Sequence, residues 1–288
     1  MTSAPEDAAA DPRITAREAS DQAATRAAIP AAVLKEVFGG GGPGSSAPPA
    51  TWEEMVERSR VSQQNQREAL AAAGIKEQWE ELQEGKWRGL IESLGDGLEI
   101  TEHTCTGVDG NTIPLQLIRP PGGEQVPCAY YIHGGGMMMM SMRMGIFQAW
   151  GRLLARQGIA CVLVDFRNSL QGHESVPEVA QFPAGLNDCF SGLQWVHANK
   201  AALNISDICV TGDSGGGNLC IAVGMKALRE HKLHLLPAGI FSMCPFIDGD
   251  HSPMGYSQAA YDRKDPLAWP SFAVSFHFHS TVLYEYCR

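Results

Sequence analysis

The sequence lacks a long apolar run. None of the apolar stretches in its 288 residues approaches the roughly 20 residues that a bilayer-spanning helix needs. The first 30 residues contain no apolar signal core, and their acidic residues disfavour a transit peptide. We therefore expect a cytoplasmic protein without a membrane span.

Clustered basic residues are also missing. The 22 Lys and Arg are scattered among 32 Asp and Glu, and the net charge is −10. Proteins that bind nucleic acid concentrate Lys and Arg where phosphates must be neutralised. Nucleic acid is therefore excluded as an expected partner, and the acidity is interpreted as a solvated surface.

The cysteines show no spacing typical of a metal site or a disulfide scaffold. All eight fall outside the zinc-binding patterns and the compact disulfide frameworks. Cys128, Cys161 and Cys209 lie within short apolar runs, which favours buried free thiols. The sequence thus predicts no bound metal.

The apolar fraction of 44% is large enough for a buried core. Residues 1–50 are typical of a flexible Ala-rich segment followed by a Gly/Pro linker. Residues 51–97 predict an N-terminal helical segment, in which Thr51 caps the first helix and Gly74 ends it.

From residue 98 onward, strand-like and helix-like patterns alternate, after an initial β-hairpin. This alternation predicts an α/β fold whose mostly parallel sheet is flanked by helices on both faces. The predicted strands are Leu98–Cys105, Thr112–Ile118, Cys128–Ile132, Ile159–Asp165, Asp207–Thr211 and Ala238–Met243, and the predicted helices are Met144–Gln157, Pro183–Asn199 and Gly217–Glu230.

The first motif is the nucleophile turn, Gly212-Asp213-Ser214-Gly215-Gly216, which connects a predicted strand to a predicted helix. Such a sharp turn exposes the serine hydroxyl above the sheet, and it needs small residues where Gly212 and Gly216 stand. The sequence Gly-Asp-Ser-Gly-Gly also occurs in chymotrypsin-like proteases. Those proteases need an upstream catalytic histidine in an Ala-Ala-His-Cys motif, which this chain lacks. An incidental serine in a glycine-rich turn is the other interpretation.

The second motif is the oxyanion turn, His133-Gly134-Gly135-Gly136, which also follows a predicted strand. Glycines let backbone N–H groups approach a developing oxyanion without Cβ clashes. We expect the amides of Gly134, Gly135 and Gly215 to form this hole, with His133 orienting the loop. No Lys follows either turn in the phosphate-loop position, so no cofactor is expected.

With these motifs in this order, the chain resembles the hormone-sensitive-lipase-like esterases, a branch of the α/β-hydrolase fold. The resemblance covers residues 98–273 and implies hydrolysis of a small carboxylic ester through an acyl-enzyme at Ser214. It also implies an N-terminal helical cap and assigns structural roles to Arg167 and Asp188. The matching motifs are residues 133–136, Val164-Asp165-Phe166-Arg167, Phe182-Pro183-Ala184-Gly185-Leu186-Asn187-Asp188 and residues 212–216.

The expected triad acid and histidine are not recognisable after Ser214. In this fold both follow the nucleophile in the chain, yet Asp265 follows a polar stretch instead of an apolar strand. His277 and His279 lie in residues 274–288, which resemble nothing in the family and are interpreted as a divergent tail. The sequence therefore predicts a truncated family member whose core, residues 98–273, is incomplete at its C-terminal edge.

Three interpretations stay open at this point. The chain is an esterase impaired by the missing acid and histidine, a non-catalytic protein that binds a small ligand on the same scaffold, or a truncated gene product. The plant gibberellin receptor, which resembles the family without the catalytic histidine, illustrates the second. The sequence leaves the natural ester and the oligomeric state open.

Overall fold

The computed structural model describes residues 51–245, except for the side chains at positions 78, 79, 82, 83 and 86. Within this range, residues 61–86 form one compact unit, and residues 51–60 together with 87–245 form another. The predicted segments 1–50 and 274–288 lie outside the described residues. None of the described helices is both long enough and apolar enough to cross a bilayer.

The first helix, α1 (Trp52–Ala72), begins and ends where its capping residues predict. The Glu54 amide donates to the Thr51 hydroxyl across 3.1 Å. Gly74 adopts a φ of +64°, and its amide returns to the Ala71 carbonyl at 3.0 Å. Further along are α2 (Lys76–Glu80), a π-helical turn (Glu81–Gly85) and α3 (Lys86–Gly95). A role of residues 51–97 as a cap stays a prediction.

Within residues 51–245, six strands form one mixed sheet in the order β1-β2-β4-β3-β5-β6. The pairs β1–β2 and β2–β4 are antiparallel, and the pairs β4–β3, β3–β5 and β5–β6 are parallel. The opening hairpin and the mostly parallel remainder are confirmed. The strands are β1 (Glu99–Thr106), β2 (Thr112–Arg119), β3 (Val126–Ile132), β4 (Ala160–Val164), β5 (Ile205–Asp213) and β6 (Ile240–Met243).

In the part of the chain that the structure describes, three long helices cover the sheet: α4 (Gly145–Arg156), α5 (Ala184–Ala198) and α6 (Gly215–Arg229). A larger core cluster joins the sheet to α5 and α6, and a smaller one joins it to α4. The two clusters lie on opposite faces of the sheet, because successive side chains of β3 point to opposite faces. Tyr130 belongs to the larger cluster and Tyr131 to the smaller one. Helices therefore cover both faces, as predicted.

The expectations for single core residues are met except at Cys209, which was expected to be buried. All described cysteines are free thiols; Cys128 and Cys161 are buried, whereas Cys209 is partly exposed. The Arg167 guanidinium donates to the Asp188 carboxylate at 2.8 Å, and both side chains are buried. This ion pair supports the structural role expected for Arg167 and Asp188.

Candidate active site

The nucleophile turn and the oxyanion turn lie side by side. Strands β3 and β5 are parallel neighbours, and their last paired residues are Ile132 and Gly212. Both turns therefore start at the same edge of the sheet. A Cβ on Gly216 would lie 2.1 Å from the Ile132 carbonyl oxygen, and a Cβ on Gly215 would lie 2.7 Å from the Gly136 amide nitrogen. The two turns are thus in direct backbone contact.

Ser214 occupies a strained position between β5 and α6. Its φ of 52° and ψ of −117° lie in a region that side-chain-bearing residues rarely adopt. Its amide donates to the Met243 carbonyl at 3.0 Å, and its own carbonyl accepts the Asn218 amide at 3.0 Å as α6 begins. Strain of this kind costs about 1–3 kcal/mol and clusters at functional sites. It marks Ser214 as the candidate nucleophile.

The oxyanion turn depends on glycine at its second bend. Gly135 adopts a φ of +108°, and a Cβ there would lie 2.1 Å from the Met139 carbonyl oxygen. The Gly135 carbonyl accepts the amides of Met138 and Met139 at 3.1 and 3.2 Å. This compact bend directs the chain toward the nucleophile turn, because Gly136 comes next and lies against Gly215.

The amide of Gly134 has a different partner from the one expected. Its N–H donates to Asp213 Oδ1 at 3.1 Å. The same oxygen accepts the Tyr131 hydroxyl at 2.8 Å. One of the three amides assigned to the oxyanion hole from sequence is therefore engaged in binding the two turns together.

His133 is fully buried and packs against an aromatic ring. Its ring stacks on Phe166 with centroids 4.3 Å apart, and Nδ1 lies 2.7 Å from the Gly134 carbonyl oxygen. Its Nε2 lies 3.4 Å from Asp165 Oδ1. These contacts are those of a residue that orients the loop, as expected from sequence.

Asp165 lies next to His133 of the oxyanion turn and binds the segment that follows this turn. Its carboxylate accepts the Ser141 hydroxyl at 2.8 Å and the Met142 amide at 3.0 Å, and also the Ser175 hydroxyl. Burial by itself would raise the pKa of Asp165, but the neighbouring His133 and these hydrogen bonds outweigh it and lower the pKa to about 2. Asp165 is therefore a carboxylate at neutral pH.

This network was missed by reasoning from sequence. Asp165 stood within a recognised motif, but no role was attached to it. Ser141 and Ser175 lie in irregular segments with no motif of their own, so only their folded positions identify them. The hydroxyl of Ser141 is fully buried and donates to Asp165, which gives it a structural function.

The described residues show no hydrogen-bonded partner for the Ser214 hydroxyl. No hydrogen bond joins Ser214 Oγ to another side chain within residues 51–245. Asp265, His277 and His279 lie outside the described residues. In the part of the chain that the structure describes, no group of three His, Cys, Asp or Glu side chains is placed to hold a metal ion.

The sheet order and the strained serine turn define the class of protein. A family model described as alpha/beta hydrolase fold matches residues 129–278. The esterase Est22, as a solved structure, is 34% identical with a TM-score of 0.61, covering 93% of this chain and 77% of Est22. The chain therefore has the α/β-hydrolase fold.

Curated relatives narrow this assignment. Carboxylesterase NlhH of Mycobacterium tuberculosis is 35% identical over 134 residues, which are 45% of this chain and 39% of NlhH. Hormone-sensitive lipase of Mus musculus is 31% identical over 101 residues, which are 34% of this chain and 12% of the lipase. The chain thus spans less than half the length of these two proteins. It belongs to the hormone-sensitive-lipase-like esterase family.

Proposed function

We propose that this chain hydrolyses small carboxylic esters and that Ser214 is its nucleophile. The observation behind the proposal is the contact between a strained serine turn and a glycine-rich bend at one edge of the sheet. In the proposed reaction, Ser214 Oγ attacks the ester carbonyl carbon and the carbonyl electron pair moves to oxygen. As this intermediate collapses, the Ser214 proton passes to the departing alkoxide, which leaves as the alcohol. Water then adds to the acyl-serine, releases the carboxylic acid and returns a proton to Ser214 Oγ.

The oxyanion in this scheme is held by backbone amides of both turns. Gly135 and Gly215 keep the role expected from sequence. The Gly134 amide, the third donor expected from sequence, donates to Asp213 in this structure, so the proposed hole rests on the amides of Gly135 and Gly215. Each donor of such a hole contributes about 2.7–4 kcal/mol to lowering the barrier.

We further propose that the reaction is slow unless a histidine from outside residues 51–245 reaches Ser214. A serine without a base is a weak nucleophile, because its hydroxyl stays protonated at neutral pH. Binding and the oxyanion hole alone sustain roughly 10³–10⁴-fold catalysis over water in triad-deleted serine hydrolases. His277 and His279 are the residues whose substitution tests this point.

Hydrolysis of p-nitrophenyl acetate by the full chain tests the proposal. Ser214→Ala is expected to abolish the enzyme-dependent release of p-nitrophenol. Ser206→Ala, a serine at the opposite end of β5, is the matched control and should keep the parental rate. Equal rates for Ser214→Ala and the parent chain would exclude Ser214 as the nucleophile.

The histidine variants separate the remaining alternatives. A further loss of rate in His277→Ala or His279→Ala would identify the base, and parental rates in both would support the slow, base-free reaction. If the parent chain binds the ester, measured by calorimetry, without Ser214-dependent turnover, the chain is a ligand-binding member of the family.

A further inference from the structure

The side chain of Asp213 occupies the junction between the nucleophile turn and the oxyanion turn. Its Oδ1 accepts the Gly134 amide at 3.1 Å and the Tyr131 hydroxyl at 2.8 Å. Its Oδ2 lies 2.4 Å from the place that a Cβ on Gly134 would take. The absence of a side chain at Gly134 is therefore what lets this carboxylate reach the facing backbone.

The hydrogen bond between Gly134 and Asp213 lies just beyond the last backbone pairing of β3 with β5. Strands β3 and β5 pair as far as Ile132 and Gly212, and the turns begin one residue later on each side. The hydrogen bond from Gly134 to Asp213 is thus the first cross-connection beyond the sheet. Asp213 is also the residue directly before Ser214.

Tyr131 holds the carboxylate in place. Its ring is 1% exposed and packs in the smaller core cluster, so the hydroxyl has a set direction. Burial, followed by the nearby charge of Asp213, raises the pKa of the Tyr131 phenol well above its ordinary value. The phenol is therefore protonated and can donate a hydrogen bond at neutral pH.

We propose that Asp213 is a positioning residue that sets the separation of the two turns, through the Gly134 amide, and so aligns the oxyanion donors with Ser214. The inference rests on the proposed esterase function. Asp213 itself touches neither the ester nor the oxyanion in this scheme. Its effect reaches the reaction through the placement of Gly135, Gly215 and Ser214.

Kinetics with p-nitrophenyl acetate gives the first readout. Asp213→Ala is expected to lower kcat by about 10²-fold with KM changed little, because misplacing reacting groups by about 1 Å costs rate and not ground-state binding. Asp213→Asn keeps one acceptor oxygen and should recover part of the loss. Tyr131→Phe should show a smaller decrease, since Gly134 still has its acceptor. The matched control is Asp207→Asn, an exposed carboxylate on the same strand.

Hydrogen exchange gives a readout that does not require turnover. In Asp213→Asn and Asp213→Ala the backbone amides of residues 131–140 should exchange faster than in the parent chain. A peptide covering β1 serves as the internal reference for global destabilisation.

Unchanged exchange at 131–140, or a rise in KM that equals the loss of kcat/KM, would overturn the role of Asp213. A parent chain without Ser214-dependent hydrolysis would overturn the esterase proposal instead, and the exchange data would still decide whether Asp213 joins the turns.

Discussion

The nucleophile turn and the oxyanion turn of the site differ in the contacts that stabilise them. Buried polar side chains lie next to the oxyanion turn. His133 stacks on Phe166 and also lies close to Asp165, and the Asp165 carboxylate accepts hydrogen bonds from a hydroxyl and an amide. The nucleophile turn is defined by missing side chains, because Gly216 presses directly on the backbone of β3. Both turns contain glycines at which a Cβ would clash, but the oxyanion turn also depends on the buried carboxylate of Asp165.

The two turns should therefore respond differently to an added methyl group and to the loss of a charge. A turn held by steric fit should fail when a single methyl group is added, whatever the pH. The oxyanion turn, which lies next to a buried carboxylate, should in addition respond to the loss of charge. Each of the following experiments addresses one side of this comparison.

The largest effect is expected for Gly216→Ala. The added Cβ would lie 2.1 Å from the Ile132 carbonyl oxygen and 2.6 Å from that of His133, and backbone atoms cannot rotate away. We expect a loss of about 3 kcal/mol or more in the free energy of unfolding, measured by urea denaturation. Gly89→Ala is the control, because a Cβ at Gly89 meets nothing within 4 Å and alanine favours a helix. If both variants unfold at the same urea concentration, steric fit does not hold the nucleophile turn.

A medium, pH-dependent effect is expected for Asp165→Asn. The pKa of Asp165 is lowered from 3.8 to about 2 in the folded protein. A depressed pKa stabilises the fold above the unfolded-state value and loses that contribution as the pH falls toward the folded-state value. Near pH 7 the variant should therefore lose about 2 kcal/mol of unfolding free energy.

The difference between Asp165→Asn and the parent chain should shrink as the pH is lowered from about 4 to about 2. Urea denaturation at several pH values measures it, with Asp207→Asn, at an exposed position, as the matched control variant. A difference that stays constant over this range would mean that the charge of Asp165 does not hold the oxyanion turn.

The smallest effect compares two substitutions of Ser214. Both Ser214→Gly and Ser214→Ala remove the hydroxyl, but only glycine adopts a φ of 52° without strain. We expect Ser214→Gly to be more stable than Ser214→Ala by about 1 kcal/mol, seen as a higher Tm. Equal Tm values would show that the serine turn stores no measurable strain.

Much of the fold was predictable because its signals are local. The hairpin around Asp109-Gly110-Asn111 and the later strands and helices all appear within a few residues of their predicted limits. The Thr51 cap and the Gly74 stop depend on contacts within five residues, so the sequence reveals them directly. The pairing of the two glycine turns was also predictable, since parallel neighbouring strands end at the same edge of a sheet.

The partner of each polar group in the site was not predictable in this way. Gly134 and Asp213 are 79 positions apart in the chain, and their hydrogen bond exists only because β3 and β5 are neighbours. The assignment of Gly134 to the oxyanion hole came from motif order, which does not show where an N–H points. The anchoring of Asp165 by Ser141 and Ser175 had no sequence signal at all.

The sequence by itself determined which residues could perform the chemistry, because a serine between small residues and a run of glycines are local requirements of backbone geometry. Only the tertiary structure decided which amide faces which acceptor. Hydrogen bonds between strands depend on register and on distances of a few tenths of an ångström, and packing of the whole sheet sets both.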